Sequence, residues 1–362
     1  MFLRSILLSN FRNFKKRSID FSSLITVFVG PNTIGKTSIL EAIYYLATGK
    51  SFRAEKDGET VRWGESIGRI IGEIFQMGKI EDKEKLEVVF AEAHQFNALV
   101  NQRKKFTVNG VSRRMIDFVG NLKAVLFWPE DLDLVTDSPS LRRRYLDFVL
   151  MQVDREYRRS IISYEKGVRQ RNRLLERIRD EAVFAYATTS QGKFRNQLMF
   201  WDQLLIKSGN YITEKREEYI ALVNASEKKL GSFKLFYDAS KISPLRLEQY
   251  KEEEIASATT LVGPHRDDFK FIFKNDKDMS IYGSRGEQRL AVLWLKLCEL
   301  SFIENKTQER PILLLDDIFS ELDLEHRDLV FEIIDKQQTI ITTLDLHFIK
   351  NEKRKKMEIM NI

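Results

Sequence analysis

The chain has 362 residues, with 59 Lys and Arg against 53 Asp and Glu, a net charge of +6 and 43% hydrophobic residues. That length suits two domains or one domain with a large insertion, and the apolar content supports an ample core. A single cysteine, Cys298, excludes an internal disulfide, and no apolar run approaches membrane-spanning length.

Residues 1–11 alternate apolar and polar side chains like a strand, not like a secretory signal, so a soluble cytoplasmic protein is expected. Next comes LITVFV, residues 24–29, a β-branched apolar run that suits a buried parallel strand. It leads into GPNTIGKTS, where Gly30, Gly35, Lys36 and Thr37 have the G-x-x-x-x-G-K-[ST] spacing, followed by helical spacing from Ser38 to Leu46. Strand, glycine loop and helix are in the order that a nucleotide site requires. The loop Gly30, Pro31, Asn32, Thr33, Ile34 and Gly35, with Ser38 at the helix start, would wrap the phosphates with backbone N–H groups. Lys36 would sit on the β- and γ-phosphates, and the Thr37 hydroxyl on Mg²⁺.

Short strand-like runs separated by turn residues continue to about residue 120. Helical periodicity then takes over: Leu146, Val149, Val153, Tyr157, Ile161, Tyr164 and Val168 recur every three or four residues, as do Phe194, Leu198, Trp201, Leu205 and Ile212. Residues 141–180 hold 12 Lys and Arg against six Asp and Glu, an excess equal to the net charge of the whole chain. Arg169, Arg171 and Arg173 in this stretch, or Arg103, Lys104 and Lys105 upstream, are the candidate contacts to a phosphate backbone. Solvation, or pairing with the interspersed acids, is the plain alternative for each of these arginines.

Beyond about residue 257 strand and turn chemistry returns. The expected organisation is a nucleotide-binding part from residues 1–118 and 257–362, with residues 119–256 as an inserted helical lobe. Within the returning part, YGSRGEQRLAVLWLKL begins with Ser284, Gly286 and Glu287 ahead of a helix whose apolar face is Leu290, Leu293, Trp294 and Leu297. Such a start is either an ordinary cap or a second anion site. Cys298 lies further along this run and reads as a buried thiol. PILLLDDIFSELD follows, an aliphatic strand ending in Asp316 and Asp317. Carboxylates at the C-terminal edge of a parallel strand face the phosphate site. Asp316 is expected in the Mg²⁺ shell, and Asp317 is placed to orient or deprotonate water. His94, His265, His326 and His347 are scattered without metal-ligand spacing, and no zinc site is expected.

Ser-x-Gly-[Gln/Glu] before an aliphatic-Asp strand resembles the signature of ABC-type ATPases, and Ser320 to Asp323 resembles their D-loop. FRNF, GKTSILEAIYYLATGKSFR, FWPEDLDLV, SPSLRRRYLDF, RQRNRLLE, TLVGPHRDD, GSRGEQRL and LLLDDIFSELD narrow the resemblance to the RecF family of bacterial recombination mediators, over nearly the whole chain. The resemblance implies an α/β fold: an SMC-like ABC ATPase head, with a parallel phosphate-loop sheet and an antiparallel β part, carrying a compact inserted helical lobe. It implies ATP and Mg²⁺ as cofactors and a slow, DNA-stimulated ATPase with Lys36, Ser284, Asp316 and Asp317 in catalytic roles. Ser284, Gly286, Glu287 and Asp323 would then meet nucleotide in an ATP-dependent homodimer, the signature of one subunit capping the γ-phosphate held by the other. The implied partners are duplex DNA and single/double-strand junctions, RecR with RecO, and indirectly the recombinase, in DNA repair, recombination, replication and the SOS response.

Departures from that pattern are Thr33-Ile34 in the loop and Glu287 in place of the commoner Gln. No Q-loop glutamine is assignable near Trp128-Pro129-Glu130, and no His follows the strand at residues 339–343. His265 and Arg266 match the family's GPHR with no chemistry evident from spacing. Two other readings stand beside this one. A nucleotide-switched DNA scaffold with negligible turnover would bind without hydrolysing. A transporter ATPase subunit would carry a short helical lobe directly before the signature, whereas here well over a hundred residues intervene.

Overall fold

The computed structural model describes residues 1–76, 79–91, 104–183, 190–227, 230–320, 324–348 and 354–362. The chain forms two compact units, Met1–Leu132 with Val292–Ile362, and Asp133–Ala291. No helix among the described residues is long and apolar enough to cross a membrane.

The first unit contains a five-stranded sheet in the order Met357–Asn361, Ile25–Val29, Thr339–Thr343, Ile312–Asp316, Ala124–Phe127, every pairing parallel. Ile312–Asp316 and Thr339–Thr343 are buried at every position, as strands covered on both faces must be. The register pairs Asp316 with Thr342 and Thr343 with Val29, which brings the C-terminal ends of three strands together. The helix Lys36–Thr48 packs against both this sheet and a second, antiparallel one, and is buried along nearly its whole length.

The antiparallel sheet has six strands in the order Phe14–Asp20, Phe2–Phe11, Ile67–Gln76, Lys79–Ala91, Lys104–Val108, Val111–Arg113. Its first hairpin is tight: Phe11 pairs with Phe14, and Arg12 in the turn has φ 51°. FRNF is therefore a turn at one end of this sheet, where the Arg12 N–H also donates to the Thr60 carbonyl at 2.8 Å.

The second unit holds the helices Pro139–Val153, Arg155–Val183 and Ser190–Ala225 and a three-stranded antiparallel sheet, Lys277–Asp278, Asp268–Phe273, Phe233–Asp238. The apolar stripe is core: Leu146, Val149, Tyr157, Ile161 and Tyr164 are buried, as are Leu205 and Ile212 facing them from the third helix. A buried cation sits among these helices. Arg216 is 1% exposed and donates to Asp147 at 2.8 Å, Asp267 at 2.9 Å and the Pro264 carbonyl at 2.7 Å. Two carboxylates offset the desolvation of one guanidinium, and the segment at residues 263–267 is clamped as a result.

His265 and Arg266 belong to that clamp. His265 Nδ1 lies 2.8 Å from the Tyr164 hydroxyl and Nε2 lies 2.9 Å from the Thr260 carbonyl, to which Arg266 donates as well. Burial pushes the His265 pKa down to about 4, so the ring is neutral at pH 7. Both side chains thus have packing roles in the second unit.

These unit boundaries differ from segments 1–118, 119–256 and 257–362, and strand pairing gives the reason. Ala124–Phe127 pairs in parallel with Ile312–Asp316, which keeps residues 119–132 with the first unit. Asp268–Phe273 pairs with Phe233–Asp238, which keeps residues 257–291 with the helices.

Candidate functional site

The parallel strands end at a cleft of about 530 Å³ in the first unit, lined by Arg12, Asn13, Asn32, Thr33, Gly35, Lys36, Thr37, Ser38, Arg53, Trp128, Pro129, Glu130, Asp316, Asp317 and Thr342. Val29 hands the chain to the loop, whose two glycines are sterically required. A Cβ at Gly30 would lie 2.9 Å from the Ile362 carbonyl oxygen, and Gly35, at φ 111°, would meet Phe14 and Asn13 at 2.6–2.8 Å. Asn13 also donates to the Ile34 carbonyl at 2.8 Å, pinning the loop from the hairpin. Thr33 holds φ 72°, and Pro31 and Ile34 complete the loop between the two glycines.

Lys36 folds back over this loop, its Nζ donating to Gly30 O at 2.6 Å and Pro31 O at 2.8 Å. Burial holds its pKa below the ordinary lysine value, opposed by Asp317 and then Asp316. Additional negative charge in the cleft, such as a polyphosphate brings, favours the charged lysine further.

Two carboxylates are fixed by their neighbours. Asp316 Oδ1 accepts from Thr37 Oγ1 at 3.0 Å and from Thr342 Oγ1 at 2.5 Å. Asp317, at φ 50°, donates its backbone N–H to the Thr342 carbonyl at 3.1 Å. The site residues expected in the first unit, Gly30 to Ser38 with Asp316 and Asp317, are therefore gathered at one strand edge. Asp323 lies outside the described residues, as do Glu321 and Leu322 of the same loop.

Mg²⁺ bound through phosphate oxygens takes only one or two protein ligands and keeps waters. Thr37 Oγ1 and Asp316, 3.0 Å apart in the cleft, fit that donor set. No cluster of three or more His, Cys, Asp or Glu able to hold a metal occurs among the described residues.

Sequence reasoning missed Arg12, Asn13, Arg53, Trp128, Pro129, Glu130 and Thr342 as cleft residues. Arg12 is held bidentately by buried Glu41, at 2.8 and 2.5 Å, and Glu41 in turn accepts from Ser51 at 2.5 Å. The signal available was Glu41 itself, a charge in the middle of an otherwise apolar helix face that needs a buried cation partner.

Ser284, Gly286 and Glu287 lie in the second unit, at the start of the helix Arg285–Thr307. Ser284 Oγ and N–H donate to Glu287 Oε2 at 2.9 and 3.0 Å, and the Glu287 N–H donates to Ser284 Oγ at 3.3 Å. This is a capping box, in which serine and glutamate satisfy each other. Lys274 pairs with the other Glu287 oxygen, and hydrogen bonds from Lys274 and then Ser284 bring the Glu287 pKa down to about 2. Glu287 is therefore ionised, with Lys274 as its counter-charge, where the sequence also allowed an anion site. Gly286 faces open space: a Cβ there would meet nothing within 4 Å.

A family model described as RecF/RecN/SMC N terminal domain matches residues 2–361. The DNA replication and repair protein RecF of Bacillus thuringiensis (strain Al Hakam) is 34% identical over 387 aligned residues, covering 100% of this chain and 97% of the relative; that of Bacillus cereus (strain AH187) matches equally. The chain belongs to the RecF family. Two solved structures agree: the recombination mediator protein RecF-ATPrS in the RecFOR pathway, with a TM-score of 0.82 at 30% identity over 96% of this chain and 94% of that one, and RecF-ATP, with 0.82 at 29% over 96% and 93%. The fold is thus the mixed α/β, SMC-like ABC ATPase fold of the RecF family, a family of DNA replication and repair proteins.

Membership in the RecF family makes the placement of the basic residues informative. Arg169 and Arg173 are exposed on the helix Arg155–Val183, as are Lys166 and Arg177 on the same face. Arg171 is not available to DNA. Its side chain is 4% exposed and pairs with Asp202 at 2.7 Å and Glu254 at 2.6 Å, with Thr260 Oγ1 accepting at 3.0 Å. On a helix, i and i+2 point to different faces, so Arg169, Arg171 and Arg173 do not form one surface. Lys104 is also taken up: it pairs with Asp57 at 2.8 Å, donates to the Gly49 carbonyl at 2.7 Å and lies over the Tyr45 and Phe106 rings. Lys105 is exposed, and Arg103 lies outside the described residues.

Proposed function

We propose that this chain is an ATP-dependent, DNA-binding recombination mediator. The carrying observation is the convergence of Lys36, Thr37, Asp316 and Asp317 on one cleft at the strand edge. In this reading the loop N–H groups and Lys36 hold the β- and γ-phosphates, and Thr37 and Asp316 hold Mg²⁺, which neutralises phosphate charge when bound. Asp317 orients or deprotonates the attacking water, and hydrolysis is slow and stimulated by DNA. Ser284, Gly286 and Glu287, with Asp323, meet the γ-phosphate held by a second copy, so that ATP joins a homodimer. The first unit serves as the ATPase head and the helices of the second as the lobe. The relatives' names, a DNA replication and repair protein and a recombination mediator in the RecFOR pathway, support a role in that pathway; in this reading the chain works in the cytoplasm beside RecR and RecO and promotes loading of the recombinase at junctions and gaps. Sedimentation velocity with and without ATP, then with duplex DNA, tests the reading. ATP-dependent dimers that persist on DNA are expected, and a monomer under all conditions overturns it.

The self-capped signature yields a further expectation. Glu287 places an ionised carboxylate on the serine that has to receive a γ-phosphate. Glu287→Gln keeps one acceptor for the Ser284 N–H while removing the repulsion. ATP-dependent dimerisation should tighten by roughly tenfold, consistent with one charge-assisted contact of about 1.4 kcal/mol. A dimerisation constant that weakens or does not move, measured by the same sedimentation assay, counts against the signature acting at a phosphate.

DNA contact is assigned to the exposed face carrying Lys166, Arg169, Arg173 and Arg177. Arg169→Glu with Arg173→Glu should weaken duplex binding and lower the log-log salt slope by about 1.8, from about 0.9 per phosphate contact. Fluorescence anisotropy over a salt series checks both quantities; an unchanged slope moves the surface to the neighbourhood of Lys105. Changing Arg171 instead should act through stability, because it leaves buried Glu254 without its guanidinium.

A further inference from the structure

Two of the segments that carry the family resemblance, SPSLRRRYLDF at residues 138–148 and TLVGPHRDD at residues 260–268, meet inside the second unit. Arg142 donates to the two Asp268 oxygens at 2.6 and 3.0 Å, and Arg143 donates to the Asp267 backbone carbonyl at 2.9 Å. The Asp267 carboxylate, fully buried, is taken up by Arg216, the Tyr237 hydroxyl and the Ser240 N–H. Asp147 accepts from Arg216 and from the Tyr157 hydroxyl. The three acids of this junction are therefore spent on Arg142 and Arg216.

Two cations are left over. Arg143 is half-buried and its guanidinium donates only to that carbonyl, while Arg266 is exposed and spends one N–H on the Thr260 carbonyl at 3.1 Å. Neither pairs with a carboxylate among the described residues. Burial and then the Arg216 charge hold the Arg143 pKa below the ordinary arginine value, against the pull of Asp268, Asp147 and Asp267. Arg266 and Arg143 both add to burial in disfavouring the protonated form of His265, so the two guanidiniums share one neighbourhood. Its frame is fixed: Gly263, at φ 124°, leaves no room for a Cβ against the Tyr164 hydroxyl, which also meets His265. Each carbonyl bond orients an arginine and leaves the rest of its five-donor fork open, the geometry that matches phosphate oxygens.

We infer that Arg143 and Arg266 form a binding site for one oxyanion, a backbone phosphate of bound DNA. A carboxylate would also fit the fork. The phosphate is assigned because the junction docks through Tyr164 on the helix Arg155–Val183, whose exposed face carries Lys166, Arg169, Arg173 and Arg177. The inference rests on the DNA reading of the second unit and adds a contact that lies outside that helix face.

Fluorescence anisotropy with duplex DNA over a salt series is the test. Arg143→Gln with Arg266→Gln removes both charges and keeps an amide donor for each carbonyl, so melting temperature and ATP affinity should stay as in wild type. The log-log salt slope should fall by about 0.9, the value for one phosphate, and binding at 0.15 M salt should weaken about fivefold. Arg143→Lys with Arg266→Lys keeps both charges and should hold the wild-type slope. Arg266→Glu alone, at the exposed position, should reproduce the fall of the glutamine pair without disturbing the half-buried Arg143. An unchanged slope in the glutamine pair and in Arg266→Glu overturns the site and leaves the DNA reading standing. So does a fall of about 1.8 in the glutamine pair, which means two separate phosphates. Wild-type binding of a polyglutamate peptide that the glutamine pair loses, with the duplex slope unchanged, gives the surface to an acidic protein partner and overturns the phosphate assignment. A wild-type chain that binds no duplex overturns the DNA reading and this site with it.

Discussion

Replacing Lys36 by alanine is expected to abolish ATP-dependent dimerisation and to weaken ATP binding by about 10- to 100-fold, the range for losing a charged hydrogen-bond donor worth about 1.5–3 kcal/mol. The lysine is already seated: its Nζ spans Gly30 O and Pro31 O within the cleft that Asp316 and Asp317 also line. Alanine is the best helix former, so the first turn of the helix Lys36–Thr48 survives the change, and what is lost is the ammonium with its bonds to the Gly30 and Pro31 carbonyls. Titration of a fluorescent ATP analogue gives the affinity, and sedimentation velocity gives the dimer. A variant that dimerises with ATP as wild type does would remove Lys36 from the mechanism.

Asp317→Asn should separate binding from turnover. Asp317 occupies the left-handed region at φ 50°, which asparagine adopts more readily than most residues, and its backbone bond to the Thr342 carbonyl is independent of the side chain. The fold and the Asp316–Thr37 contact are therefore retained. Removing a carboxylate from a cleft that receives phosphate leaves ATP affinity equal or tighter, whereas loss of a general base slows hydrolysis by about 10²–10⁴-fold. Single-turnover phosphate release measures the step, and the variant should accumulate ATP-bound dimers on DNA. Hydrolysis at the wild-type rate would mean that another group orients the water, with Glu130 a further carboxylate in the cleft lining.

Whether a site was legible in the sequence depended on how locally it is encoded. The phosphate loop is contiguous: its glycines, Lys36 and Thr37 lie within eight residues, and their roles follow from backbone sterics and helix polarity at that spacing. Asp316 and Asp317 were readable because an aliphatic run ending in acids marks the C-terminal edge of a buried strand. The signature serine was legible as a cap, and the structure gives the cap its partners, Glu287 and Lys274.

Long-range pairing was not legible in the same way. Ala124–Phe127 and Asp268–Phe273 are both short strands, and nothing within either says which sheet it joins; the first lies beside Ile312–Asp316 and the second beside Phe233–Asp238. Arg171 was read beside Arg169 and Arg173 from composition. Helical rotation instead turned it inward onto Asp202 and Glu254, residues 31 and 83 positions away in sequence.

By itself, then, the sequence determined the family, the nucleotide loop and the acidic strand edge, because each rests on residues close in sequence whose chemistry is set by the local backbone. Tertiary structure alone decided which charges are available. A cation's partners are fixed by the elements packed around it: Arg216 between Asp147 and Asp267, Lys104 on Asp57, and Lys296 between Asp131 and Glu299. Burial forces such pairing because an unpaired charge out of water is too costly to keep, and burial is a property of packing that no window of sequence contains.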